Sequence, residues 1–401
     1  MLIVHKYGGT SVGDLDRIEN VAKRVAKAKR DGNSIVVVVS AMSGETNKLI
    51  GYANHFSKTP AKREMDMLLS SGERVTAALL SIALQEMGVD AIGMTGRQAG
   101  IKTDDNHTYA RIASINTDGM QRELDKGRVI IVAGFQGTNQ SGQVTTLGRG
   151  GSDLSAVAIA GALRADACEI YSDVDGVYTT DPRIEPKARK MDFVSYDEML
   201  ELASLGAKVL QSRSVELAKK LNVKIVAKSS FSEAEGTVIA KESEEMEEVL
   251  VSGIALDKNQ ARVTLRQVAD RPGIAAEIFS KLAKEQINVD MIIQNASTDG
   301  TTNLGFTVPE SELERAREVI VSFDQDFGSV DYDENICKVS IVGVGMKSHS
   351  GVAAKAFSVM AENNINIEMI STSEIKVSMI IDQKYGELAV RTLHDAYKLD
   401  R

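Results

Sequence analysis

Residues 34–40, SIVVVVS, are apolar on both faces of an extended chain. Such a strand has no polar side to offer water, so it belongs inside a sheet covered on both faces, as central parallel strands are. Further short apolar strands are expected at Leu2–Val4, Arg128–Ala133 and Cys168–Tyr171. Helical patterns lie between them. Leu15, Ile18, Val21, Ala22, Val25 and Ala28 fall at helical spacing, with Gly32 as a stop. Further helices are expected over Leu68–Met87 and from the 150s through Leu163. Strand, loop and helix in repetition predict an α/β fold with a mainly parallel sheet sandwiched by helices. In that architecture ligands sit beyond the carboxyl ends of the strands. The loops at those ends are rich in Gly, Ser and Asp, so they can converge on one crevice.

The bulk numbers remove several classes of function. A chain of 401 residues can hold two or three domains with real cores. A net charge of −9, no Trp and 4% aromatics argue against a nucleic-acid surface or a base-stacking platform. Two cysteines, Cys168 and Cys337, both in apolar contexts, read as buried thiols of a reducing compartment. The start, MLIVHKYGG, is too short an apolar run for a signal peptide, and no run is expected to span a membrane. The expectation is a cytoplasmic protein with neither membrane nor nucleic-acid partner.

The character changes near 231–251, where Glu242–Glu248 form an acidic run that reads as a solvated linker or helix face. Beyond it lies an internal repeat. Gly273-Ile274-Ala275-Ala276 with Ile287–Ile292 recurs as Gly351-Val352-Ala353-Ala354 with Ile365–Ile370, at a constant offset of 78. Each copy opens with an alternating strand, Ala261–Val268 or Lys338–Val344, followed by a loop, an amphipathic helix and a second strand. Two copies of a small β-α-β module are therefore expected. The boundaries drawn are a catalytic domain over 1–240, a linker over 241–260, and modules over 261–335 and 336–401.

The stretch richest in chemistry is Thr145–Ala156, TTLGRGGSDLSA. Ser152-Asp153 before an apolar run is a helix N-terminus signal, and a plain helix cap is an even alternative to a site. Glycines let a ligand approach the backbone, and a helix start beside Arg149 suits an anion. Asp153 in the same place suggests a ligand of both signs, such as a small zwitterion. Lys6-Tyr7-Gly8-Gly9 could set an ammonium and backbone N–H groups against phosphates, yet this stretch alone favours a surface lysine before a turn. Lys6, Arg149, Arg183 and Lys208 supply cations, and Glu73, Asp153, Asp173 and Asp181 supply acids. Neither a Ser-His-Asp set nor metal spacing among the five histidines is apparent. Cations and backbone donors without an evident base suit phosphoryl transfer, above all to a carboxylate, which is already ionised at neutral pH.

KYGGTSV at Lys6, SAMSGETN at Ser40, SGER at Ser71, GFQG at Gly134, LGRGGSD at Leu147 and YSDVDGVYTTDPR at Tyr171 stand in order. With DRPG at Asp270, VGVGMKSH at Val342 and INIEMISTSEIKVS at Ile365, the whole chain resembles the monofunctional aspartate kinases of the amino acid kinase family. The resemblance implies the amino acid kinase fold followed by tandem ferredoxin-like α+β ACT modules. It implies transfer of phosphate from ATP, with magnesium held mainly by the phosphates, to L-aspartate, giving 4-phospho-L-aspartate for lysine, threonine and methionine synthesis. Lys6, Arg149 and Asp153 would be catalytic. Thr46, Glu73, Arg149, Gly150, Gly151 and Ser152 would hold aspartate, Glu73 against its ammonium. Lys6, Tyr7, Gly8, Gly9, Ser40, Ser172, Asp173, Tyr178, Asp181, Arg183 and Lys208 would line the nucleotide site. Lysine, threonine or both would inhibit through Asp270, Gly273, Ile274, Ala275 and Gln294 of the first module and Val352, Ala353, Asn366, Ile367 and Glu368 of the second. Homo-oligomers would form through the modules. One departure stands out: His349-Ser350-Gly351 replaces the usual His-Pro-Gly, which restores an N–H to that loop. A kinase acting on glutamate, N-acetylglutamate or a nucleotide is disfavoured by Glu73 and the module pair. A catalytically dead effector-binding protein is disfavoured by intact Lys6, Glu73, Arg149 and Asp153.

Overall fold

A computed structural model describes residues 1–204, 209–242, 250–295, 300–323, 327–347 and 351–401. The chain divides into two compact units. The first takes Met1–Val177, Lys190–Ala203 and Lys208–Met246; the second takes Tyr178–Arg189, Ser204–Ala207 and Glu247–Arg401.

The strands of the first unit are β1 (Leu2–Tyr7), β2 (Ser34–Val39), β3 (Ala91–Met94), β4 (Ile101–Thr103), β5 (Ile112–Ile115), β6 (Val129–Ala133), β7 (Gln136–Thr138), β8 (Val144–Thr146), β9 (Ala167–Ser172), β10 (Phe193–Ser195), β11 (Ile225–Ser229) and β12 (Thr237–Ala240). Its helices are α1 (Leu15–Arg30), α2 (Glu45–Phe56), α3 (Lys62–Leu69), α4 (Ser71–Glu86), α5 (Asp118–Asp125), α6 (Gly151–Leu163), α7 (Tyr196–Ser204) and α8 (Ser212–Leu221). The main sheet runs β10-β12-β11-β9-β1-β2-β6-β3, with every pairing parallel except β11–β12. As its composition requires, β2 is central, and Ile35–Val39 are fully buried. Each such valine contributes about 2 kcal/mol by leaving water. Ile35, Val37 and Val39 pack with Ile18, Val21, Val25, Leu80 and Leu84 of α1 and α4. On α6 every residue from Gly151 to Ala160 is buried, and the helix lies against β1, β2, β9 and α8. A smaller sheet, β5-β4-β7-β8, was not legible in the sequence because its strands are three or four residues long.

Residues 62–86, α3 and α4, are long and apolar enough to cross a membrane by length and composition, contrary to expectation; half of that apolar window is buried in the fold. The buried stripe of α4 is Gly72, Glu73, Thr76, Ala77, Leu80, Ser81 and Leu84, a core-facing pattern.

The second unit holds β13 (Gly253–Ala269), α9 (Ile274–Lys284), β14 (Asp290–Gln294), β15 (Thr301–Pro309), α10 (Leu313–Val321), β16 (Ser329–Val342), α11 (Val352–Glu362), β17 (Met369–Thr372), β18 (Lys376–Asp382) and α12 (Gly386–Tyr397). Its six strands run β14-β15-β13-β16-β18-β17, all antiparallel. The long strands β13 and β16 each serve two modules. Gln260–Ala269 pairs with β15, and Gln260–Arg266 also with the first half of β16. Gly253–Asp257 pairs with Lys338–Val342, across a bulge after Asp257.

This arrangement corrects the expected boundaries. Gly253–Asp257, expected as linker, is the outer strand of the second module, with Gly253, Ile254 and Ala255 buried. The neighbouring acidic run masks the strand pattern in the sequence; beyond Glu242 that run lies outside the described residues. Tyr178–Arg189, expected in the catalytic domain, belongs to the second unit. There Thr179 O accepts Ile254 N–H at 2.7 Å, Thr179 Oγ1 lies 3.0 Å from His394 Nε2, and Lys187 Nζ meets Asp395 Oδ1 at 3.1 Å.

Candidate active site

Lys6 lies inside β1, 8% exposed, so it is no surface lysine. Its Nζ is 2.6 Å from Asp153 Oδ1 on the first turn of α6. The strand then gives way to Gly8 and Gly9. A Cβ at Gly8 would sit 3.4 Å from Lys6 Nζ, and one at Gly9 would sit 3.1 Å from Ala41 O. The two glycines thus keep the backbone bare beside the ammonium.

Tyr7 takes no side-chain part. It is fully buried and stacks on Tyr171 at 4.7 Å, so only its backbone, which accepts Ser40 N–H at 3.1 Å, faces the loop ends. Alternation along β1 explains this: Lys6 and Tyr7 point to opposite faces.

The helix-cap reading of Ser152 and Asp153 fails. The cap of α6 is Gly150, at φ +74°, without a side-chain cap bond. Ser152 and Asp153 sit in the first turn, 7% and 9% exposed, and their side chains are left for other work. Ser152 Cβ would be 3.0 Å from a Cβ at Gly134, so the glycine after β6 admits it.

Glu73 is 4% exposed on the apolar stripe of α4. Its Oε1 accepts Ala41 N–H at 3.2 Å, and its Oε2 has no partner among the described residues. Burial pushes this carboxyl up to about 7, with the Ala41 N–H pulling the other way. A buried carboxylate with an orphaned oxygen is set for a cation.

Arg149 is exposed and its side chain has no hydrogen bond or ion pair among the described residues. Its loop is well held: Arg213 Nη1 donates to Leu147 O at 2.7 Å, and Gly148 and Gly150 (φ +79° and +74°) lie tight against Tyr109 and Gln211. Thr46 is half-buried at the start of α2. Ser40 follows β2 directly and is half-buried. Ser172 ends β9, its hydroxyl accepting Val174 N–H at 3.3 Å, and Asp173 is exposed.

The structure thus joins Lys6, Gly8 and Asp153, and brings Glu73 to the Ala41 backbone and Ser152 to Gly134. Tyr178, Asp181 and Arg183 are carried by the second unit. There Arg183 and Asp181 are engaged with each other, Nη2 to Oδ2 at 2.7 Å, which holds the carboxyl below its usual range. Lys208 lies outside the described residues, as do His349 and Ser350.

Among the regulatory candidates, Gly273 and Gly351 are equivalent caps of α9 and α11, at φ +97° and +100°. Asp270, Gln294 and Asn366 are exposed, and Ala275, Ala353 and Ile367 half-buried. Ile274 and Val352 are core residues of their modules, which leaves only their backbone to an effector. Glu368 is ion-paired with Arg262.

Sequence reading missed Asp66, Tyr109, Gln211 and Arg213. Asp66 had a signal: it is an acid in register with Leu69 and Ser70 on the buried side of α3.

Residues 1–228 match the amino acid kinase family, and residues 266–322 and 339–397 match the ACT domain. An aspartokinase of Helicobacter pylori is 59% identical over 405 residues, covering all of both chains. The chain belongs to the aspartokinase family. Aspartokinases are kinases, and the ACT pair marks this one as allosterically regulated. The fold agrees with solved aspartokinases. E. coli aspartokinase III in complex with aspartate and ADP superposes with a TM-score of 0.81 at 26% identity, covering 99% of both chains. The same E. coli enzyme with lysine and aspartate gives 0.79 at 26%, covering 98% of this chain and 99% of that one.

Proposed function

We propose that this aspartokinase transfers the γ-phosphoryl group of ATP to the side-chain carboxylate of L-aspartate, giving 4-phospho-L-aspartate at the head of lysine, threonine and methionine synthesis. The observation that carries the acceptor is Glu73, buried with Oε2 unpartnered among the described residues. A free α-ammonium answers it; an acylated amine would not. Arg149, exposed and unpaired among the described residues, offers a guanidinium fork to the α-carboxylate. Thr46, Gly150, Gly151 and Ser152 complete the acceptor side.

The acceptor oxygen attacks the γ-phosphorus, the bond from that phosphorus to the leaving diphosphate breaks, and no base is needed because the carboxylate is already ionised. Lys6 and the amide of Gly9 meet the charge on the transferred group, with Asp153 holding the Lys6 ammonium in place, while the Gly8 N–H is spent on Tyr171 O at 3.2 Å. Ser40, Ser172 and Asp173 stand at strand ends on the nucleotide side. Roles for Tyr178, Asp181, Arg183 and Lys208 rest on the resemblance alone. Asp153 is committed to Lys6, so magnesium is expected on phosphates and water, where it shields phosphate charge.

Regulation by lysine, threonine or both, a homo-oligomer built through the ACT modules, and action in the cytoplasm belong to the same reading. The E. coli structure with lysine and aspartate supports an amino-acid effector. The test is aspartyl phosphate formation, trapped as the hydroxamate, with ATP, magnesium and aspartate, alone and with each effector. Product from aspartate but not glutamate is expected; none under any condition overturns the reading.

A further inference from the structure

The Arg149 side chain has no partner of its own among the described residues, so its position is set by the backbone of 146–151. One fully buried carboxylate ties that backbone down from below. Asp66, on α3, is 0% exposed. Thr146 Oγ1 donates to its Oδ1 at 2.5 Å, and Thr108 N–H reaches its two oxygens at 3.0 and 3.1 Å. His107 Nδ1 lies 2.6 Å from its Oδ2.

These partners are the two walls of the Arg149 loop. Thr146 ends β8, three residues before Arg149. Thr108 precedes Tyr109, whose ring lies where a Cβ at Gly148 would be, 2.6 Å away. Ala110 N–H donates to Thr146 O at 2.9 Å, and Arg213 bridges Leu147 O and Ala110 O at 2.7 and 3.3 Å. This carboxylate accepts from two chain segments at once, the Thr146 hydroxyl and the Thr108 N–H. It can hold separate backbone segments in one register, which an apolar side chain cannot do.

We infer that Asp66 is a positioning residue for the acceptor, acting through Thr146 and Thr108 to fix the loop that presents Arg149. The inference rests on the reading of Arg149 as the partner of the aspartate α-carboxylate.

The test varies aspartate and ATP separately in the full-length enzyme carrying Thr146→Val, Thr146→Ser, Asp66→Asn or Arg149→Lys. Thr146→Val keeps the shape and removes the donor. It should raise the aspartate KM on the order of tenfold and leave the ATP KM within about twofold. Thr146→Ser, which restores the hydroxyl, should return the aspartate KM to near the parent value. Asp66→Asn should act in the same direction as Thr146→Val, and Thr146→Val keeps the test open if Asp66→Asn does not fold. A merely structural role would lower the melting temperature without moving either KM. Folded Thr146→Val with a normal aspartate KM, or with both KM values raised alike, would overturn the inference while Arg149→Lys is impaired for aspartate. An unchanged aspartate KM in Arg149→Lys would overturn the acceptor assignment itself, and the inference with it.

Discussion

Lys6 Nζ and Asp153 Oδ1 are 2.6 Å apart, with side chains only 10% and 13% exposed. The strand end of β1 and the first turn of α6 are thereby joined by one ion pair. Removing only the cation strands a nearly buried acid, a change that costs about 3 kcal/mol in such settings. Lys6→Met should therefore abolish turnover and also lower the melting temperature. Lys6→Met with Asp153→Asn should recover most of the lost stability and none of the activity. Thermal unfolding and the hydroxamate assay on the three proteins separate the two effects. Activity in Lys6→Met would remove Lys6 from the mechanism.

Glu73 makes stability depend on pH. Its carboxyl, at 4.5 in the unfolded chain, is raised to about 7 by burial. Between those values the folded state binds the extra proton, so this contribution is fully present below about 4.5 and is lost as pH rises through 7. Above that, the charged form costs about 3 kcal/mol. Glu73→Gln should be more stable than the parent at pH 8 by up to that amount, with the gap closing toward pH 5. Denaturant unfolding at both pH values measures it; a gap that does not vary with pH would rule out titration of Glu73.

The same group sets the pH dependence of acceptor binding. Only ionised Glu73 pairs with an ammonium, so the aspartate KM should fall as pH rises from 6 to 8, and aspartate binding below pH 7 should release a proton. The ATP KM should not follow. Glu73→Gln should raise the aspartate KM and flatten its pH profile, which steady-state kinetics at several pH values will show.

Arg149 is exposed and unpartnered, so nothing in the described fold depends on its charge. Arg149→Lys should leave stability within about 0.5 kcal/mol. It should still raise the aspartate KM on the order of tenfold, because an ammonium cannot replace a bidentate fork. A shift in stability without a shift in KM would reverse the assignment.

The parts of this molecule that were legible from sequence share one property: a local pattern decides them. Ile35–Val39 could only be a covered strand, and the helix ending at Leu163 was found to the residue. Lys6, Glu73 and Asp153 stand out because motifs carry them, and the structure buries all three. What was missed depends on distant partners. The outer strand Gly253–Asp257 is defined by Lys338–Val342, far along the chain. Asp66 has meaning only once Thr146 and Thr108 arrive beside it. Tyr178–Arg189 reads as part of the kinase motif, yet its packing partners Ile254 and His394 are unmarked in the sequence.

Repeat-equivalent acids hold the two ACT modules crosswise. Asp290 and Glu368 stand 78 positions apart. Asp290 of the first module meets Lys338 Nζ of the second at 2.6 Å, while Glu368 of the second pairs with Arg262 of the first. Between them Met291, Met369, Ile336 and Ile380 form a shared apolar cluster. Burial alone would raise the Asp290 carboxyl; the Lys338 hydrogen bond overrides it and holds the group below its usual range. This stability is present above the ordinary carboxylate range and is lost as pH falls through the lowered value. Lys338 is 4% exposed, so Asp290→Asn leaves a buried ammonium without its counter-charge, at a cost of about 2 kcal/mol. Lys338→Met together with Asp290→Asn should cost less than Asp290→Asn alone, because no charge is then stranded. Arg262→Gln should shift the effector concentration for half-inhibition and leave uninhibited turnover unchanged, since it frees Glu368, a proposed effector contact. Denaturant unfolding of the first set and inhibition curves for the second check both halves; an additive double mutant would show that the crosswise pair holds nothing together.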